Sequence, residues 1–212
     1  MIRSKELTLY SSGDNLDKVL EEADAFASFM GLPDKESRYL RLITEETIGM
    51  IRTITGELSA KLVFSGGDES YTISLETITF MDIKKHDELL ALSKSGKNES
   101  AKGVMGKIRE AFELANMIPD QNSKDAWMMY GSPAMTWGMP NEGTMFMSPS
   151  EPVYWTLKGY RSTLDADKES DEDAAEAWDE LEKSIVGNLA DDIKIGIRNG
   201  HVQMDVIRDL KH

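Results

Sequence analysis

The stretch "RLITEETIGM", Arg41–Met50, places two adjacent carboxylates, Glu45 and Glu46, in a segment whose apolar spacing is that of a buried helix. Leu40, Ile43, Thr47, Ile51 and Ile54 recur at intervals of three and four, so the spacing predicts one long helix through "LPDKESRYLRLITEETIGMIRTITGE". Asp34 supplies a cap at its start and Gly56 a stop at its end. Leu42, Glu45, Gly49 and Arg52 share another side of that helix, and Glu46 lies on a flank with Tyr39, Leu42 and Met50. An unpaired carboxylate costs too much to bury, so Glu45 either reaches solvent at a pocket rim or is paired. Pairing with Arg41 or Arg52 is the simpler reading of the spacing. Gly49 costs about 1 kcal/mol against alanine in a helix interior. A glycine there makes sense if a ligand or another helix approaches the backbone.

The segments around this helix alternate between the two periods. "KELTLYS" reads as a short strand ending in the turn "SSGD", and "NLDKVLEEADAFASFMG" as a helix stopped by Gly31. After Gly56 the period becomes two: "AKLVFSG" and "SYTISLETITF" are antiparallel strands joined at "GGDES". A short helix through "KKHDELLALS" and a longer one through "AKGVMGKIREAFELANM" follow, separated by the polar "SKSGKNES". Residues 119–150 carry no period and are rich in Met and Trp. So long an irregular insertion is a functional lid, a partner-binding surface or a cover over part of the core.

"PVYWTLKGYRSTL" reads as a strand returning to the sheet. Residues 163–173 read as an acidic linker, and "SDEDAAEAWDELEKSIVGNLA" as one helix with acidic residues in its first turn, where the helix dipole favours them. The closing "DDIKIGIRNGHVQMDVIRDL" alternates on both sides of Asn199-Gly200, a strong hairpin signal. Together these predict a single domain over 1–212: an α/β two-layer sandwich, with a mixed, mostly antiparallel sheet carrying helices on one face.

Composition narrows the function classes. With 24 basic and 38 acidic side chains the formal net charge is −14, which argues against nucleic acid as a partner, because that interface needs a cationic surface. There is no cysteine, so disulfides and thiolate chemistry are excluded and the cytoplasm is the expected compartment. No apolar run suits a signal peptide or a membrane span. His86, His201 and His212 are the only histidines. A three-histidine centre would need the last residue of the chain, so no metal site is expected.

A second candidate site is "SGKNESAKGVMGK". Gly103 and Gly106 open a helix whose free N–H groups and dipole can receive phosphate, and Lys97, Lys102 and Lys107 add positive charge. It is not a Walker A loop, since Asn98 follows Lys97. A basic loop before an amphipathic helix is also a common structural arrangement.

In this order, the strand, the helix bearing "ITEETIGM", the hairpin and the loop–helix "AKGVMGKI" resemble the ATPase fold shared by histidine kinases, gyrase and one class of heat-shock chaperones. The likeness covers residues 5–118, and it is nearest to the anti-sigma-factor serine kinases and to divergent bacterial ATP-binding-like proteins. It implies that Glu45 acts as or positions a catalytic base, and that Asp82 in "FMDIKK" meets the adenine amino group. Glu46, Gly49, Lys97, Lys102, Gly103 and Gly106 would border the nucleotide. Gly49 stands where the family has the asparagine that holds Mg²⁺, and the glycines that follow the family's aspartate are missing after Asp82. The resemblance therefore implies a weakly catalytic or inactive ATP-binding regulator, with ATP as ligand and no side chain at position 49 for Mg²⁺. Its partner would be a regulatory protein, or a second copy in a homodimer. The alternative is a non-catalytic interaction module presenting Trp127 and Trp137 from the insertion.

Overall fold

The computed structural model describes residues 1–10, 15–55, 59–78, 153–198 and 201–210. Its sheet begins with β1 (Ile2–Arg3) and β2 (Leu7–Tyr10), both antiparallel to β3 (Ser59–Gly66). The sequence predicted the strand in "KELTLYS", within which β2 falls, and did not predict β1. Ser4 follows β1: its N–H donates to the Phe64 carbonyl at 2.8 Å, and its hydroxyl accepts the Phe64 N–H at 3.0 Å. Next comes β4 (Ser70–Ile78), then β7 (His201–Asp209), β6 (Asp192–Arg198) and β5 (Val153–Thr156), every pairing antiparallel. The expected mostly antiparallel sheet with helices against it is therefore present. Arg198 pairs with His201, so β6 and β7 are paired in the register of the predicted closing hairpin; Asn199 and Gly200 lie outside the described residues.

Register explains which face carries the helices. Leu62, Leu75, Met204, Ile195 and Trp155 lie opposite one another in a row across five strands, and all are buried. Phe64, Ile73, Val206 and Ile193 make the next row. Side chains alternate along each strand, so both rows share one face. On the other face Lys61, Glu76, Gln203 and Lys194 are exposed.

Helix α1 (Leu16–Met30) and helix α2 (Asp34–Thr55) cover the core face. Val19, Leu20, Ala23, Phe26 and Ala27 are the buried stripe of α1, and Phe26 stacks on Phe64 with ring centroids 5.7 Å apart. The helix stops because Gly31 adopts φ 68°, where a side chain would be strained. From α2, Leu40 and Ile43 enter the core, as the spacing predicted, and Met50, which the spacing put on a flank, is buried with them; the side chains of Ile51 and Ile54 lie outside those described. Thr44 and Thr47 are fully buried beside them. Their hydroxyls donate to the Leu40 and Ile43 carbonyls at 2.7 Å, which meets the need for a partner within the helix itself.

The acidic C-terminal segment differs from its expected form. "PVYWTLKGYRSTL" is a strand only to Thr156, whose hydroxyl caps helix α3 (Leu157–Asp167) through the Gly159 N–H. Leu157, Tyr160 and Leu164 recur at helical spacing and bury one side of α3. The stretch 163–173 is therefore helical as far as Asp167, and only residues 168–171 separate α3 from α4 (Glu172–Lys183). The single helix expected over 170–190 breaks at Ser184, which caps the short α5 (Ile185–Leu189). Gly187 permits the break, because a Cβ there would sit 2.7 Å from the Leu181 carbonyl oxygen.

One polar junction ties α2 to the closing hairpin. Arg208 on β7 donates from Nε and Nη2 to the two Glu36 oxygens, each at 3.2 Å, and from Nη1 to the Leu189 carbonyl at 2.9 Å. Its guanidinium also lies 5.2 Å from the Tyr39 ring centroid.

Ile73 is wholly buried in the middle of β4. Replacing it with alanine should cost about 2–5 kcal/mol of stability, read as a lower urea midpoint with the same slope.

Candidate functional site

The flank of α2 that turns away from the sheet carries the sequence-predicted residues Glu45, Glu46 and Gly49. Glu45 is 44% exposed and pairs with Arg41 on the same helix, with Nε to Oε1 at 3.6 Å. Of the two arginines named from the sequence, Arg41 is thus in contact with it. Arg41 is shared, because its Nη1 also reaches Asp24 on α1 at 2.5 Å. A guanidinium can serve both carboxylates through its planar fork of donors. The result is a charged strap from α1 across to the carboxylate on α2. At this level of exposure such pairs fix side-chain direction more than they stabilise the fold. Glu46 is half-buried beside the exposed Glu45.

Gly49 lies one helical turn beyond Glu45 and is exposed. A Cβ built there would have no heavy atom within 4 Å beyond the local helix backbone. The glycine is thus not explained by close packing of another described helix. Leu42, on the same side one turn earlier, is 41% exposed. The flank therefore presents a carboxylate, a guanidinium and an apolar side chain beside Gly49.

Asp82, Lys97, Lys102, Gly103 and Gly106 lie outside the described residues, as do Trp127, Trp137 and the whole 119–150 insertion. Of the sequence-predicted site residues, the structure places Glu45, Glu46 and Gly49 side by side on one helix. Among the described residues, no group of three or more His, Asp or Glu is placed to hold a metal ion. No helix among them is long and apolar enough to cross a membrane.

The Asp24 contact was missed from sequence. Its only trace is the short link between α1 and α2, which makes them an antiparallel pair and brings residue 24 opposite residue 41. A Gly49→Ala variant should be more stable by about 1 kcal/mol, since the methyl group meets open space and alanine favours the helix. Thermal and urea unfolding check this. No family model, curated protein or solved structure matches the chain.

Proposed function

We propose that this protein is a nucleotide-binding regulator, with ATP held against the Glu45–Gly49 flank of α2 and phosphoryl transfer weak or absent. The observation that supports this reading is the Glu45 carboxylate, 44% exposed on the flank of α2 that turns away from the sheet, with Gly49 one helical turn beyond it. The neighbouring Glu45 carboxylate is held in direction by Arg41 and can accept a proton or orient a water. With glycine at 49, no side chain from that position can ligate Mg²⁺, and efficient phosphoryl transfer relies on such a metal ion. The expected activity is therefore nucleotide binding with little phosphoryl transfer.

The resemblance to anti-sigma-factor serine kinases would put the phosphates near Gly103 and Gly106, with Lys97 and Lys102 beside them and Asp82 at the adenine. On that reading the protein acts by binding a regulatory partner or a second copy of itself, in a manner set by the nucleotide. The competing account is an interaction module that has lost the nucleotide, for which the insertion tryptophans would be the contact surface.

Calorimetric titration with ATP, with and without Mg²⁺, separates the two. The proposal expects measurable heat and a raised melting temperature; ligand at 100 times its Kd adds about 2.7 kcal/mol to stability. A Gly49→Leu variant should keep the fold and lose the nucleotide, because the larger side chain would stand on the flank against which the nucleotide is proposed to lie. Silence with wild-type protein at millimolar ATP refutes nucleotide binding. Undiminished binding by the variant refutes the location.

A further inference from the structure

The junction between α2 and the closing hairpin contains a polar group without a partner among the described residues. Tyr71 on β4 is 1% exposed, and its hydroxyl makes no hydrogen bond to any of them. It lies directly opposite Arg208 across the β4–β7 pairing, on the face that carries the helices. Arg208 in turn holds Glu36 with two hydrogen bonds, donates to the Leu189 carbonyl, and lies 3.6 Å from Asp191. Asp191 Oδ2 also accepts the Asp209 N–H at 2.9 Å. Each Glu36 oxygen receives one hydrogen bond from Arg208, so each keeps further capacity to accept. A phenol with no partner, beside carboxylates that can still accept, is an arrangement that protein interiors complete with a solvent molecule.

We propose that one buried water bridges the Tyr71 hydroxyl to the Glu36 carboxylate and is an integral part of this junction. The water accepts the phenolic hydrogen and donates to Glu36, and Asp191 is within the same polar cluster for its second hydrogen. Three such partners are within the two to four that a buried water requires. Burial pushes the Tyr71 phenol well above its usual range, and the Glu36 charge pushes it the same way. The phenol therefore stays protonated and serves as a donor at neutral pH. The bridge fixes the first turn of α2 against β4 as well as β7, which sets the angle at which the helix leaves the sheet.

Two measurements on the full chain decide it. A Tyr71→Phe variant keeps the ring and removes the hydroxyl. The proposal expects a lower urea midpoint than wild type, because the water loses a partner that the ring cannot replace. It also expects, in the wild-type protein, magnetisation transfer by NMR from a long-lived water to the Tyr71 ring protons. An unchanged or higher midpoint means that the hydroxyl was unsatisfied and overturns the proposal. A lower midpoint without the water signal means a direct bond to Glu36 and overturns it equally. If the variant fails to fold, the wild-type water signal alone decides.

Discussion

The pairing of β4 with β7 is the contact on which the rest of the molecule depends. Nine consecutive residue pairs, from Ser70↔Asp209 to Ile78↔His201, join a strand more than a hundred positions earlier in the chain to one near its end. Forming such a contact closes a long loop, whose entropic cost rises only slowly with length, so the ladder and the buried side chains beneath it can offset it. Ile73, Leu75, Met204 and Val206 meet across this line and are all buried. Without it, the β3–β4 hairpin with α1 and α2 would be one fragment, and the β6–β7 hairpin with α3 to α5 another. Arg208 repeats the same connection in polar form, since it stands on β7 and grasps the first turn of α2.

What could be read in the sequence was the local part. α1 and α2 were legible because their apolar residues recur at the helical period and glycines punctuate them. The hairpins were legible from strict alternation around "GGDES" and Asn199-Gly200. Each of these depends on residues near one another in the chain. The misread elements depend on distant partners. β1 was missed because Ser4, between it and β2, accepts the Phe64 N–H on its hydroxyl and donates its own N–H to the Phe64 carbonyl, sixty residues away, instead of continuing a regular ladder. The turn of "PVYWTLKGYRSTL" from strand to helix depends on Thr156, which capping preferences could have indicated, but also on Asp192, whose carboxylate takes the Lys158 N–H at 3.1 Å. The Glu36–Arg208 contact spans 172 positions and carries no pattern that one sequence displays.

The candidate site was legible in the same graded way. Helical spacing alone put Glu45 and Gly49 on one side of α2 and offered Arg41 as a neighbour, and the structure places them so. Asp24 was invisible because it belongs to another helix, although it competes with Glu45 for the same guanidinium. The buried threonines show how the two faces of α2 coexist. Thr44 and Thr47 bond to their own helix, so the inner face accepts polar residues without needing anything from the sheet, and the charged residues remain on the outer flank. One helix is thus both a core element and a platform.

The divided strand at the margin of the sheet bears on solubility in crowded conditions. β1 offers two residues and β2 four, and Lys5 and Glu6 stand between them, paired to Glu22 at 2.8 Å and to Lys61 at 2.9 Å. The Asn15 side-chain amide donates to the Thr8 carbonyl at 3.0 Å. A foreign chain seeking to extend the sheet by hydrogen bonding would meet a broken template, two charges and an acceptor already engaged. Irregular, charged margins of this kind oppose ribbon growth from molecule to molecule, and so guard a many-stranded protein against fibrous self-association.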